Sequence, residues 1–337
     1  MNPLPQNMGN GSESQRHVLV VRGSFATLGG AERELLQLIP KLENHWKVSL
    51  ATLSFPEDAQ QLLETTTVDV YKSKTTYNPR LSTISEVRNV ASKQAVQLWK
   101  HMDIPWGSID VVHLSVCRGT LEILPCVPAH IPVHYHCLEP PRWLYEDVLH
   151  RRIDGSMKRP SLITNLAFRK QRKDDQRFVR MLLARPNSTL SGNSQFTANR
   201  LTSIYKFAQP CTKENGLPPQ RDGQKRPLQS TILHHAIDLE KWPIESSSDE
   251  QMVTAKLNLP EKYVVTIGKI SFVKGTMESV AMLENTNIAL VHIGGGNESD
   301  QEELTHFAKT IGVEVSCMPR LTQQQICVVV RNSIAVI

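Results

Sequence analysis

The chain has 337 residues, a formal net charge of +5, and a composition that is 40% hydrophobic and 21% charged. This length exceeds one ordinary hydrophobic core and predicts two domains, while the composition is that of a globular protein. Because no apolar run approaches the ~18 residues that span a bilayer, no transmembrane helix is expected. The six cysteines form no C-x-x-C pair, which predicts reduced thiols in a cytoplasmic protein. Residues 1–15 are polar and predict a disordered tail.

The charge is concentrated in residues 151–186. This segment has eleven Lys or Arg and three Asp, a net charge of +8, which leaves −3 for the rest of the chain. Such a segment can meet anionic lipid headgroups, nucleic acid or phosphorylated substrates, or it can be a solvated helix face. Its ends are apolar, at Leu162, Ile163 and Leu166 and again at Met181, Leu182 and Leu183. We therefore expect peripheral contact with anionic membrane at its inner face, and no nucleic-acid partner.

The first part of the chain alternates between short apolar runs and helical patterns. Strands are predicted at 17–22, 48–53, 68–71, 109–114, 131–136, 189–191 and 231–237, and helices at 31–42, 84–101 and 195–206, the last capped by Ser194. A second alternation follows a polar stretch. It has strands at 263–267, 288–293, 314–317 and 333–337, and helices at 276–283, 301–311 and 322–331.

This order predicts two doubly wound α/β domains with parallel sheets. We expect a first domain at 16–240, a linker at 241–262 and a second domain at 263–337. The second has room for about four strands and stops inside an apolar strand at Ile337. Because a parallel sheet normally has both faces covered, we expect the chain to be truncated or split.

Two strands end in glycine turns that suit an anion. Gly268 follows the strand at 263–267, and Lys269 and Lys274 follow it five positions apart, an arrangement that suits a diphosphate. Gly29 and Gly30 open the first helix after the first strand's loop, and a third turn holds Gly294 and Gly295. Each glycine motif alone is weak, because tight turns need glycine for steric reasons. There is no G-x-G-x-x-G and no G-x-x-x-x-G-K-[ST], which argues against a nicotinamide or flavin site and against a P-loop.

The segment 133–146 brings reactive side chains to the end of a predicted strand. His134, His136 and Cys137 lie on the strand, and a double proline then forces a loop with Glu139 and Arg142. Zinc is one alternative, but consecutive strand residues point to opposite faces, so these three side chains cannot all meet one ion. A merely structural histidine pair is the other.

Taken together, five motifs in a fixed order resemble one enzyme family. They are Gly29-Gly30-Ala31-Glu32-Arg33, Ser191 to Thr197, Ala236 to Trp242, Ile267-Gly268-Lys269 with Lys274-Gly275, and His292 to Gly296. The chain resembles the retaining GT-B glycosyltransferases of family 4, from about His17 to its last residue. That resemblance implies two Rossmann-like domains facing a cleft, with the donor mainly on the second and the acceptor mainly on the first.

The resemblance also implies roles for single residues. Gly29, Gly30, Lys269 and Lys274 would bind the donor phosphates, and Gly268, Gly294 and Gly295 would lie near the nucleotide. Lys269 departs from the family's usual arginine and loses its bidentate fork. His136 would be the catalytic-site histidine that orients a hydroxyl, with His134 as the competing register; Glu139 and Arg142 would lie on the acceptor side. No metal or other cofactor is expected, since no D-x-D occurs and lysines can stabilise the leaving diphosphate.

The resemblance implies transfer of a sugar from a nucleotide diphosphate sugar to a glycan or lipid-linked hydroxyl, in the synthesis of cell-surface polysaccharide or glycolipid. The family's pair of glutamates, seven residues apart, has no match before Ile337, so this chain is expected to bind donor weakly or to be inactive. Two alternatives stay open. One is a catalytically dead fragment or pseudoenzyme that binds only nucleotide or a partner chain, and the other is a nucleotide-sugar epimerase.

Overall fold

The computed structural model of the protein describes residues 15–77, 87–158, 161–205, 230–235, 256–319 and 321–337. They form two compact units. The first contains the described residues up to Leu144 and from Leu166 to His234, and the second contains the described residues of Tyr145–Asn165 and those from His235 to Ile337.

The first unit is built on a seven-stranded parallel sheet. Its strands are β1 (His17–Arg22), β2 (Lys47–Thr52), β3 (Asp69–Lys72), β4 (Val111–Ser115), β5 (Val133–Cys137), β6 (Thr189–Gly192) and β7 (Ser230–Ile232). They lie in the order β3-β2-β1-β4-β5-β6-β7. The order reverses direction between β1 and β4, and open α/β sheets bind ligands at the carboxyl ends of the strands beside such a switch point.

Helices connect these strands because apolar residues recur at helical spacing. They are α1 (Gly30–Glu43), α2 (Glu57–Gln60), α3 (Val90–Lys100), α4 (Arg142–Tyr145), α5 (Ser161–Leu183, whose first turn belongs to the second unit) and α6 (Gln195–Tyr205). Short 3₁₀ turns cover Gln61–Leu63, Trp106–Ser108 and Leu121–Cys126. On one sheet face Leu19, Leu114 and Tyr135 pack in a large core, and on the other Val20 and Leu50 pack against Leu36 of α1.

The second unit repeats the plan with four parallel strands. They are β8 (Tyr263–Ile267), β9 (Ala289–Ile293), β10 (Val315–Met318) and β11 (Ala335–Val336), in the order β10-β9-β8-β11. The helices are α7 (Thr276–Ala281), α8 (Glu298–Thr310) and α9 (Gln323–Arg331), with 3₁₀ turns at Val148–His150 and Phe272–Lys274. Apolar clusters cover both faces, and here the switch point lies between β8 and β11.

The predicted α/β architecture with parallel sheets is confirmed, and most element boundaries agree within three residues. Helix α8 begins earlier than predicted because the side chain of Asn297 accepts a hydrogen bond from the Asp300 N–H at 2.9 Å. Ser194 caps α6 as predicted, accepting from the Thr197 N–H at 3.2 Å. The predicted tail and most of the linker, together with the start of the 84–101 helix, lie outside the described residues.

One segment differs from the predicted domain boundaries, which placed residues 16–240 in a single first domain. Residues 145–165 belong to the second unit. Ile153 is buried among Val264 and Ile270, and the guanidinium of Arg151 lies over the ring of Phe272 at 5.4 Å. Contacts between segments this distant in sequence leave no trace in local apolar spacing.

Candidate functional site

The residues selected from the sequence gather at the carboxyl edges of the two sheets. In the first unit they follow β1 and lie on β5, and in the second they follow β8 and β9. The loop after β1 and the loop after β8 each begin beside the point where the strand order of their sheet reverses. Open α/β sheets bind ligands at such switch points.

A buried ion pair fixes the start of α1. Arg22, the last residue of β1, pairs with Glu32, and its guanidinium also donates to the hydroxyl of Ser115 and the carbonyl of Val116, each at 2.9 Å. The other carboxylate oxygen of Glu32 accepts from the Gly29 N–H at 2.9 Å. A charge buried with a partner and several hydrogen bonds holds one geometry. The glycine turn is therefore anchored to the sheet, although Glu32 places a negative charge in the first turn of the helix.

A cluster of polar side chains lies on the same sheet face, over β4, β5 and β6. His113 lies opposite His134 in the β4–β5 register, and His136 lies opposite Ser191 in the β5–β6 register. The Nδ1 atoms of His113 and His134 are 3.0 Å apart. The hydroxyl of Ser191 lies 2.8 Å from Nε2 of His134 and 2.9 Å from Nδ1 of His136. We call these four residues the histidine–serine chain.

Strand alternation separates the cysteine from this cluster, as the sequence predicted. Cys137 is buried on the opposite face, and its thiol donates to the carbonyl of Glu139 at 3.1 Å. Within the part of the chain that the structure describes, no group of three or more His, Cys, Asp or Glu is arranged to hold a metal ion.

Burial keeps the inner histidines neutral. It lowers the pKa of His113 to about 3, an effect that the neighbouring His134 and His136 reinforce, and it lowers the pKa of His134 to about 4. A neutral imidazole has one N–H and one acceptor nitrogen, so each of these rings can continue a chain of hydrogen bonds.

The loop after β5 holds its own ion pair. Arg142 Nε lies 2.6 Å from an Oε2 oxygen of Glu139, and both side chains are partly exposed. The two predicted acceptor-side residues are thus brought together, and their charges offset one another.

In the second unit two glycine turns touch. A Cβ placed on Gly294 would lie 2.2 Å from the carbonyl oxygen of Gly268, and the two residues have φ of +135° and +146°. Backbone bonds join the turns, from Gly268 N–H to Ile293 O at 2.9 Å and from Ile270 N–H to Gly295 O at 3.1 Å. Only glycine gives this approach and these angles at low cost. The predicted nucleotide-proximal glycines therefore form one rigid platform.

Two lysines lie at this platform. The side chain of Lys274 passes over Gly268, with Cε 3.6 Å from the place where a Cβ would stand. Lys269 and Lys274 are exposed, and no ion pair among the described residues engages either ammonium. Two uncompensated charges beside a glycine platform suit an anionic ligand.

Sequence reasoning assigned no role to Arg22, His113 or the buried His292. The Thr266 hydroxyl lies 2.8 Å from Nδ1 of His292, and these residues come two positions before Gly268 and Gly294 in the chain. The sequence does hold one indication for His113, because it is a polar residue between apolar ones on a strand, as His134 is. Only the strand order shows that the two histidines are neighbours.

A cavity of about 50 Å³ lies in the first unit, beside Tyr135 on the opposite sheet face from the histidine–serine chain. Glu122, Asp174 and Asp175 line it, and burial raises the pKa of Glu122 to about 7. None of the predicted site residues lines it.

Several solved structures share this fold at low sequence identity. A glycosyltransferase from Rickettsia africae aligns with a TM-score of 0.56 and 10% identity, over 96% of this chain and 72% of its own. The N-terminal domain of trehalose-6-phosphate phosphatase from Candida albicans gives 0.58 and 12%, over 96% and 77%. HepE from Anabaena, in complex with UDP and glucose, gives 0.53 and 16%, over 92% and 71%. No protein-family profile and no curated protein matches the chain. The chain therefore has the α/β fold of the GT-B glycosyltransferases.

The glycine platform generates a stability prediction. Gly294→Ala should destabilise the protein by roughly 3 kcal/mol or more, because it adds both a steric clash with Gly268 and a strained φ. Gly295→Ala is the matched control, since a Cβ there meets nothing within 4 Å, and it should change stability by less than about 1 kcal/mol. Urea unfolding of both variants gives the comparison, and equal stabilities would contradict the rigid platform.

The neutral histidines generate a pH prediction. In the unfolded chain they bind protons as the pH falls below about 6.5, whereas the folded chain resists until about 3 to 4. The free energy of unfolding should therefore decrease as the pH falls through this window. His113→Asn should remove up to about 1.4 kcal/mol per pH unit of this slope. The exposed His306→Asn should leave it unchanged; equal slopes for wild type and His113→Asn would show that His113 is not held neutral.

Proposed function

We propose that this protein transfers a sugar from a nucleotide diphosphate sugar, most simply a UDP-sugar, to a hydroxyl acceptor. The observation that carries the proposal is the glycine platform of Gly268 and Gly294 with its two uncompensated lysines, beside the switch point of the second sheet. The complex of the fold neighbour HepE with UDP and glucose supports the choice of base.

In this proposal the candidate residues of each unit have a distinct task. Lys269, Lys274 and the glycine turns stabilise the negative charge that grows on the diphosphate as its bond to the sugar breaks. His136 hydrogen-bonds the acceptor hydroxyl, and Gly29 and Gly30 let backbone approach the substrates. The Arg22–Glu32 pair keeps that glycine loop in place.

We also propose that the transferred sugar retains its configuration at the anomeric carbon, on the basis of the resemblance to family 4. Proton NMR of the product tests it, because the H1–H2 coupling of the transferred sugar distinguishes its anomers. A product with the donor's anomeric configuration supports retention, and a product with the opposite configuration would exclude a retaining mechanism.

The alternatives differ from the proposal in what they release. A glycosyltransferase frees UDP only when an acceptor is present, and octyl glucoside is a suitable probe for a lipid-linked acceptor. An epimerase changes the donor sugar without any acceptor. A non-catalytic binding protein is stabilised by UDP and releases none from the UDP-sugar.

The lysines give the first functional prediction. Lys274→Gln should weaken UDP binding by about 10- to 100-fold, the value of one charge-assisted hydrogen bond to a phosphate. Thermal shift and calorimetric titration with UDP measure it, since a ligand present at 100 times its Kd stabilises the fold by about 2.7 kcal/mol.

Lys262→Gln is the matched control. This exposed lysine lies just before the amino end of β8, whereas Lys274 lies beyond its carboxyl end. It removes the same charge and should leave UDP affinity within about twofold of wild type. Absence of any UDP-induced shift in a cooperatively melting protein, or equal losses in both variants, would overturn the assignment of the phosphate site.

We also propose that α5 rests on an anionic membrane surface and so brings the enzyme to a lipid-linked or surface glycan. Leu166 is 69% exposed, and exposed cations continue along the helix at Arg169, Lys170, Lys173, Arg177 and Arg180. Exposed apolar side chains beside clustered cations favour anionic headgroups. None of the helices that the structure describes could cross a bilayer by its length and apolarity.

Three residues of the basic segment 151–186 stabilise the first unit and do not belong to the proposed membrane surface. Leu182 and Leu183 are buried in the first unit's core, because the helix turns this face to the sheet. Arg172 donates to the carbonyl of Leu144 at 2.8 Å. A test of the surface should therefore leave these three residues intact.

Vesicle sedimentation tests the membrane surface. The triple variant Arg169→Gln, Lys170→Gln, Lys173→Gln should lose at least tenfold in binding to vesicles with 30% anionic lipid, at about fivefold per cation. The triple variant Lys256→Gln, Lys262→Gln, Lys309→Gln makes the same charge change in the second unit and should bind like wild type. Equal binding by both variants, or preference for RNA over vesicles, would contradict the proposal.

A further inference from the structure

A short hairpin between α4 and α5 belongs to the second unit. Arg151 and Met157 form an antiparallel bridge at its base. The turn between them is closed by a hydrogen bond from the Arg152 N–H to the Ser156 carbonyl at 2.7 Å. We call residues 147–157 the strap.

Residues 271–275 form a turn beyond the carboxyl end of β8, and we call them the lysine turn because they include Lys274. The Lys274 N–H donates to the Ser271 carbonyl at 3.1 Å, and the Gly275 N–H donates to the Phe272 carbonyl at 3.0 Å. Phe272 and Lys274 lie in one 3₁₀ turn. A contact that holds the Phe272 ring therefore also holds the backbone of Lys274.

The strap packs against the lysine turn. The guanidinium of Arg151 lies over the Phe272 ring, 5.4 Å from its centroid, and a Cβ placed on Gly155 would lie 3.1 Å from Cε2 of the same ring. Because Gly155 also has φ of +84°, both the close approach and the backbone angle require glycine. Ile153 is buried in one apolar cluster with Ile270, the residue just before the lysine turn.

The strap also fixes Arg151. Its Nη1 donates to the Gly155 carbonyl at 3.0 Å, and its Nη2 lies 2.5 Å from the carboxylate of Asp147. A cation over an aromatic face is attracted by the ring quadrupole, so the guanidinium restrains the ring. Because the charge of Asp147 offsets that of Arg151, the pair adds little net charge beside the lysine turn. Its effect on the turn is therefore one of position.

We propose that Arg151 and Gly155 are positioning residues that hold the lysine turn and thereby place Lys274 for an anionic ligand. The identity of that ligand as a donor diphosphate rests on the proposed function, whereas the restraint on the turn does not. The strap comes from the stretch of chain between β5 and β6 of the first sheet, although it packs in the second unit. The phosphate site is therefore incomplete without a segment from the first part of the chain.

A charge-neutral double variant isolates the positioning role. Asp147→Asn with Arg151→Ala removes the ion pair and the cation over the ring, and it keeps the net charge. Arg152→Ala with Asp154→Asn is the matched control, since it makes the same charge change on exposed residues of the same strap. An asparagine at 154 can still accept the bond from the Ser156 N–H that Asp154 accepts at 2.8 Å. Circular dichroism and Tm verify that both variants fold.

Amide hydrogen exchange, followed by NMR, reports on the lysine turn without any ligand. The N–H groups of Lys274 and Gly275 are hydrogen-bonded inside the turn, so they exchange when it opens. The variant Asp147→Asn, Arg151→Ala should exchange them about 3- to 10-fold faster than wild type, the value of one cation–π contact. The control variant should stay within about twofold. Equal exchange rates in the two variants would overturn the proposal.

Calorimetric titration with UDP measures the consequence for binding. The variant Asp147→Asn, Arg151→Ala should bind UDP about 3- to 10-fold more weakly than wild type, and the control variant should bind like wild type. Arg151→Lys keeps a cation that can lie over the ring, so it should lose less affinity than Arg151→Ala.

Ionic strength separates positioning from direct contact with the phosphates. Lys274→Gln should flatten the decrease of UDP affinity with added salt, because it removes a charge that meets the ligand. The variant Asp147→Asn, Arg151→Ala should keep the wild-type slope. A slope as flat as that of Lys274→Gln would make Arg151 a direct ligand and would overturn the positioning role.

These measurements distinguish failure of the positioning role from failure of the proposed function. If UDP binds equally well to wild type and to both double variants, the phosphate site stands and the positioning role is rejected. If wild type does not bind UDP, the phosphate site of the proposed function is rejected, and the exchange rates of Lys274 and Gly275 still decide whether the strap holds the lysine turn.

Discussion

Parallel strand pairing is the constraint on which the candidate residues of both units depend. Every strand pair in the two described sheets is parallel, so all carboxyl ends of a sheet lie along one edge. Parallel pairing also forces each connection to return across a face, which covers both faces with apolar contacts. The strand order then reverses beside β1 and beside β8, and this reversal decides which loops can approach a ligand.

In the first sheet, polar side chains take the place of apolar ones over the strands that hold the candidate site residues. The face that packs Val20 and Leu50 against α1 has His113, His134, His136 and Ser191 over β4 to β6. Buried polar groups are costly unless they are hydrogen-bonded, and three short contacts join these four residues. The same logic applies to Arg22 and Glu32, whose buried charges join the end of β1 to the start of α1. Such networks fix side-chain geometry more than they add stability.

The fold was largely predictable, and the site only in part. Apolar runs such as Tyr263–Ile267 and capping residues such as Ser194 report local structure, so strands and helices follow from short windows of sequence. The alternation of His134 and His136 with Cys137 likewise predicted their faces correctly. The glycine motifs indicated where turns lie, yet not that Gly268 and Gly294 touch. The roles given to Lys269, Lys274 and His136 remain predictions.

Sequence by itself determined the class of fold and the residue types at its carboxyl edges, because period, turn chemistry and charge act over a few residues. Tertiary structure alone decided that His113 joins His134, that Arg22 reaches Glu32, that Lys274 crosses Gly268, and that residues 145–165 belong to the second unit. The physical reason is the same in each case. These contacts depend on which strands become neighbours, and strand order is set by packing of the whole sheet and not by any local pattern.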